Sequence, residues 1–162
     1  MAESLIIDSG SKEDKYRTLL PQIAAVTQHE PDPIANMANV AAMIHSTFRF
    51  WWTGFYRVSN DGATLVLGPF QGPLACTRIP KGRGVCGTAW LEQSTQVVGN
   101  VELFPGHIAC SSSSKSEIVV PVKAGDRIVA VLDIDSEHLD TFDDTDRAWL
   151  EQIAELIAPA IS

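Results

Sequence analysis

Two apolar runs in residues 117–135, EIVVPVKAGDRIVAVLDID, are separated only by Ala124-Gly125-Asp126. A break that short, between runs rich in branched residues, predicts an antiparallel hairpin. Side chains alternate along a strand, so Ile128, Ala130, Leu132 and Ile134 are expected on one face and Val129, Val131, Asp133 and Asp135 on the other. Two carboxylates thereby share a face that begins apolar. Burying them unpaired is costly, so they need a cation, several donors or a place at the open end of the sheet; the alternative is a strand that runs out into solvent at Asp133. On the preceding strand Glu117 shares a face with Val119, and a tight hairpin brings it alongside Asp133 and Asp135. Three converging acids would suit a substrate ammonium group, and their repulsion would raise at least one pKa, keeping a proton for general acid work near neutral pH. A lone Glu at a strand start is otherwise a solvated edge residue.

The flanking segments supply layers for this hairpin. From Glu13 the positions Tyr16, Leu19, Leu20, Ile23 and Val26 follow a helical stripe, with Pro21 a potential kink, and Ile34, Met37, Ala38, Ala41 and Ile44 make a second stripe that starts at Pro33 and ends near Phe48. FWWTGFYRV, a SNDG turn and ATLVLGPF predict a first hairpin, LACTRI a third strand, GVCGTAWLEQ a short helix and TQVVG a short strand. Residues 100–115 form a long connection without a regular period, a length that in compact domains usually carries function. FDDTDRAWLEQIAELIAPAI closes the chain as a helix with acids in its first turn. Hairpins in place of strand-helix-strand alternation point to an α+β sandwich around an antiparallel sheet. With 162 residues, 45% of them hydrophobic, the chain is expected to be a single domain over 1–162, with 1–12 as a loosely held lead-in.

A formal net charge of −8 argues against non-specific binding to nucleic acid or an anionic membrane, both of which need clustered Lys and Arg. A small molecule or a protein partner fits better. No apolar run approaches the ~20 residues that span a bilayer, and MAESLIIDSGSKED lacks the basic-then-apolar order of a secretory signal, so the cytoplasm is the expected location. The three cysteines, Cys76, Cys86 and Cys110, contain no CxxC pair, so their spacing describes neither a disulfide framework nor a structural zinc site. Redox or nucleophilic use and burial as small apolar residues both stay open. A metal could also compensate the two acids, but only His138 lies near them in sequence, and no metal or cofactor is expected.

Gly82, Gly84 and Gly87 spell G-x-G-x-x-G, yet the residues before them, Arg78-Ile79-Pro80-Lys81, are not the buried strand of a βαβ unit. These glycines are expected to shape a turn into the helix that carries Cys86. Along FRFWWTGFY, Trp52, Gly54 and Tyr56 share one face and Trp51, Thr53 and Phe55 the other, an aromatic wall that serves either as core or as the lining of a ligand site. His107, three residues before Cys110, either lowers a thiol pKa by proximity or sits exposed in its loop.

Taken together, TLVLGPFQGPLACTRIPKGRGVCGTAW, GHIACSSSSKSEIVVPV and AVLDIDS resemble the free methionine-(R)-sulfoxide reductases, which are built on a GAF domain. The likeness covers most of residues 50–150 and includes all three cysteines in their family contexts together with the acids of SEIV and LDIDS. It implies a central antiparallel sheet with N- and C-terminal helices on one side, and loops and a short helix enclosing a pocket on the other. It implies Cys110 as the nucleophile that attacks the sulfoxide sulfur and becomes a sulfenic acid, Cys76 as the cysteine that resolves it into a disulfide, and Cys86 as a third that relays oxidation. Glu117, Asp133 and Asp135 match the acids that hold the substrate amine and assist protonation of the sulfoxide oxygen. Trp52 and Tyr56 match the aromatic positions around the sulfoxide methyl.

The resemblance further implies thioredoxin as reductant, and it leaves a homodimer through the N-terminal helices open. Protonation of the sulfoxide oxygen beside the thiolate, and a second thiol to protect the sulfenic acid, are what the chemistry requires. The serine loop is expected to offer backbone N–H groups to the substrate carboxylate. Competing readings are a non-catalytic GAF module that senses a small ligand, a metal-binding domain using His107, Cys110 and distant acids, and a bilin site anchored on a pocket cysteine. For the last, the acids have no purpose.

Overall fold

The computed structural model describes residues 4–110 and 113–162. Helix α1 spans Lys12–Thr27 and begins at a capping box in which Ser11 and Asp14 satisfy each other's backbone N–H groups. Helix α2, Pro33–Phe48, starts with Pro33 behind an Asp32 cap and stops where Arg49 turns left-handed at φ 55°. Helix α1 runs on through Pro21. The closing helix α4, Asp144–Ile161, has its own capping box from Asp143 and Asp146. Buried Asp146 also accepts from Tyr16 Oη at 2.7 Å and from Lys12 Nζ at 2.6 Å, which fastens the first helix to the start of the last.

Between these helices run β1 (Trp52–Val58), β2 (Thr64–Gln71), β3 (Arg78–Pro80), the short helix α3 (Gly84–Glu92), β4 (Gln96–Val98), a 3-10 turn at Val101–Leu103, β5 (Ser116–Ala124) and β6 (Arg127–Ser136). The strands form one six-stranded sheet in the order β3-β2-β1-β6-β5-β4, and each neighbouring pair is antiparallel. This is the α+β architecture expected from the hairpins. Helices α1, α2 and α4 cover one face, where Phe55, Ile118, Val120, Leu132 and Ile134 meet Tyr16, Leu19, Ile44, Leu150 and Ile153. Helix α3 and the loops cover the other, where Trp52, Tyr56, Val119 and Val131 meet Val85, Cys86, Ala89 and Trp90. None of the helices among the described residues is long and apolar enough to cross a membrane.

Two local expectations need correction. Strict alternation would place Ile128 with Ala130, but the β5–β6 register steps from Val122↔Ala130 to Lys123↔Ile128, and Ile128 packs on the α3 face. An extra residue in one strand, here Val129, reverses the side of everything beyond it. LACTRI pairs only from Arg78 onward. Thr77 O still accepts from Leu67 N of β2 at 3.0 Å, but before it side chains of β1 take up the carbonyls: Tyr56 Oη donates to Cys76 O at 2.9 Å and Trp52 Nε1 to Pro73 O, just ahead of LACTRI, at 3.1 Å.

The glycine-rich stretch behaves as a turn. Gly82 and Gly84 have φ of 79° and 63°, and a Cβ on Gly87 would stand 2.7 Å from Pro80 O, so this glycine lets α3 press against the backbone at the end of β3. Strand β3 is an antiparallel edge strand rather than the first strand of a βαβ unit, so no dinucleotide site is built here.

Candidate active site

The register of the sheet aligns the polar residues in two rows. Trp52 pairs with Asp135 and Asp135 with Glu117, while in the next row Gly54 pairs with Asp133 and Asp133 with Val119. These side chains point to the α3 face because each lies an even number of residues from Tyr56, Val119 or Val131 on its own strand. A Cβ on Gly54 would come within 2.6 Å of the Trp52 ring, so the glycine makes room for the indole to lie across β1. Trp52 stacks on Tyr56 at 5.9 Å between centroids and on Phe70 at 5.2 Å.

Above these rows lies a pocket, partly open to solvent, with a cavity volume of about 60 Å³. Its lining includes Trp52, Tyr56, Cys86, Cys110, Glu117, Asp133 and Asp135, and through Cys110 the disulfide to Cys76 stands beside it. That disulfide joins residues 34 apart in sequence, with Cα atoms 5.5 Å apart, and so ties the loop after β2 to the loop before β5. Cys86, in the first turn of α3, is buried and unoxidised, and its Sγ lies 3.9 Å from Glu117 Oε2. All eight residues singled out in the sequence therefore gather at one place.

Glu117 and Asp133 are buried, and Asp135 is half-buried. Desolvation comes first in raising the carboxyl groups of Glu117, Asp133 and Asp135 above their ordinary range, and the neighbouring carboxylates push Glu117 and Asp135 further. Cys86 is likewise held as a thiol, first by burial and then by Asp133 and Glu117. Asp135 accepts from Ser114 Oγ at 2.9 Å, whereas Asp133 Oδ1 is buried with no hydrogen-bond partner among the described residues. The floor thus stores protons and presents an acceptor without a donor. That combination attracts a cationic, proton-donating ligand group.

Ser114 is a site residue that sequence reasoning missed, since nothing marks a loop serine as the partner of an acid 21 residues away. Arg83 is another, and it is the only Lys or Arg among the described residues lining the pocket. His107 also lines it, but burial lowers its pKa, so the imidazole stays neutral and brings no positive charge to depress a nearby thiol. The expectation that the serine loop offers its N–H groups to a carboxylate falls partly on Ser111 and Ser112, which lie outside the described residues.

A helix-backed antiparallel sheet with its pocket under a short helix and loops defines a GAF domain, and residues 36–162 match the GAF domain family model. Over 157 residues the chain is 55% identical to GAF domain-containing protein A of Dictyostelium discoideum, covering 97% of this chain and 99% of that one. It is 43% identical over 144 residues to the free methionine-R-sulfoxide reductase of Escherichia coli, covering 88% and 86%. The free methionine-R-sulfoxide reductase of Neisseria meningitidis, solved in complex with its substrate, superposes with a TM-score of 0.95 at 51% identity over 98% of this chain and 95% of that one. The chain belongs to the free methionine-R-sulfoxide reductase family of GAF domains.

Proposed function

We infer that this protein reduces free L-methionine (R)-S-oxide to L-methionine through its own thiols. The observation that carries this reading is the Cys76–Cys110 disulfide standing beside a pocket floored by three acids, two of them buried. Family membership supports it, since relatives of 43% and 38% identity are named free methionine-R-sulfoxide reductases.

In the reduced protein the Cys110 thiolate attacks the sulfoxide sulfur. Glu117 or Asp135, kept protonated by burial, delivers a proton to the sulfoxide oxygen as its bond to sulfur weakens, while Asp133 serves as the carboxylate. The hydroxyl then passes from the substrate sulfur to Cys110 Sγ, the bond between the two sulfurs breaks with its electron pair going to methionine, and Cys110 is left as a sulfenic acid. The Cys76 thiol then attacks Cys110 Sγ, the disulfide forms and water leaves. One sulfoxide and two thiols thus become one thioether, one disulfide and one water. A dithiol protein such as thioredoxin returns two electrons and two protons, a step suited to the reducing cytoplasm.

Selectivity for the free amino acid follows from charge. The substrate ammonium is placed against Asp133 and its neighbours, the Trp52 and Tyr56 rings flank the sulfoxide methyl, and Arg83 faces the α-carboxylate. A residue within a polypeptide has neither terminal charge. Separated epimers of methionine sulfoxide in a coupled reductant assay test the reading, with single Ser replacements at each cysteine. Cys110→Ser is expected to release no methionine, and Cys76→Ser to release one equivalent and stop. No turnover in the wild type, with ligand binding indifferent to Cys110→Ser, would instead mark a ligand-sensing module.

A further inference from the structure

The mechanism above leaves Cys86 unused, although its placement is unusual. A thiol set against two buried acids has no opposite charge to stabilise its thiolate. Its sulfur, a Glu117 oxygen and an Asp133 oxygen all lie within 4.8 Å of one another. Asp133 contributes an independent sign, because it lines the pocket and its Oδ1 is buried with no donor among the described residues.

We propose that Cys86, Glu117 and Asp133 form a binding site for a zinc-class divalent cation, open on the pocket side to a fourth ligand. Zinc takes sulfur at about 2.3 Å and carboxylate oxygen at about 2.0–2.2 Å in a tetrahedron, which sets sulfur and oxygen about 3.5 Å apart. The Cys86 Sγ to Glu117 Oε2 distance of 3.9 Å therefore needs a closure of only a few tenths of an ångström. A single soft sulfur with two oxygens selects zinc over magnesium or calcium, which take six or more oxygen ligands. On binding, the ion displaces the thiol proton and any proton shared between the carboxyls. It then occupies the ground that the substrate ammonium needs.

The consequence is inhibition by competition. The site needs no other cysteine, so it persists while Cys76 and Cys110 are joined, and the oxidised protein binds the ion as well. Only the competition rests on the function proposed above; metal binding itself is read without turnover.

The test titrates the oxidised protein with Co²⁺ as a spectroscopic probe and then with Zn²⁺. One equivalent of cobalt with a thiolate-to-metal charge-transfer band is expected, displaced by Zn²⁺ and by millimolar L-methionine. Cys86→Ser should abolish the band. Asp133→Asn, which replaces a buried carboxylate with one unpartnered oxygen by a neutral isostere and so should fold, should weaken binding at least tenfold. Absence of the band in the wild type, its survival in Cys86→Ser, or affinity unchanged in Asp133→Asn each overturns the site. Normal metal binding in a protein that reduces no sulfoxide would overturn the function instead and leave the site standing.

Discussion

One strand, β6, serves two different environments on its two sides. Leu132 and Ile134 point into the helical layer among apolar neighbours, while on the pocket side Asp133, one residue away, is also buried and Asp135 is half-buried. The first side gains free energy by burial, and the second loses it, because a carboxyl removed from water must keep its proton or be left unpaired. A pocket of this kind is possible because the opposite face holds the sheet in place. Binding chemistry and fold stability are thus separated by a single peptide unit, and substitutions on the two sides should have opposite signs.

The sharpest way to separate the sides is chemical. Cys110→Ser should lower the rate of methionine release by roughly 10⁴-fold or more, as expected for loss of a nucleophile, while the thermal midpoint of the reduced protein stays where it was. A large drop in that midpoint would mean that Cys110 belongs to the supporting structure. On the helical side Leu132→Ala should do the reverse, costing about 2–5 kcal/mol in urea unfolding. Such a variant that remains folded should keep the kcat of the native protein.

These opposed roles were legible along β6 because a strand has a period of two. The acids of LDID and the Glu of SEIV could be placed together once the hairpin was recognised, and the register agrees, with Glu117 opposite Asp135. The bulge at Val129 could not be read, since no Gly or Pro marks it and the packing of both hairpin strands decides it. LACTRI has the composition of a strand, yet Tyr56 and Trp52, some twenty residues away, donate to the carbonyls of Cys76 within it and Pro73 just before it. The partnership of Cys76 with Cys110 was implied by family resemblance and not by spacing, because a separation of 34 residues says nothing about distance in space. Local periodicity was readable, and side-chain bonds across loops were not.

A gentler test works through pH. Carboxyl groups raised by burial bind protons more tightly in the folded protein than in the unfolded chain, so their effect on stability becomes less favourable as pH rises from the ordinary carboxyl range, near 4, through the raised folded values. Asp133→Asn removes one such group and part of the repulsion on Glu117 and Asp135. It should stabilise the protein by about 1–3 kcal/mol at pH 8, with a gain that shrinks toward pH 4. Urea unfolding of both proteins at several pH values measures this, and a gain independent of pH would show that the acids are solvated after all.

The smallest expected effect concerns the wall between the two cysteine loops. Tyr56 Oη holds the carbonyl of Cys76, and Trp52 Nε1 holds that of Pro73, so β1 pins the Cys76 loop at two points. Tyr56→Phe keeps the ring against Trp52 and removes one hydrogen bond, worth about 0.5–1.5 kcal/mol. If the bond serves only to position Cys76, the first methionine should be released at the native rate. Closure of the disulfide should slow by roughly 2- to 10-fold, seen as a longer-lived sulfenic acid open to trapping by a dimedone-type reagent. Trp52→Phe loses the second tether but also alters the wall beside the substrate, so it should change KM as well. A Tyr56→Phe protein slowed in the first step and unchanged in the second would place the hydroxyl on the substrate instead, and the division of labour across β1 would have to be redrawn.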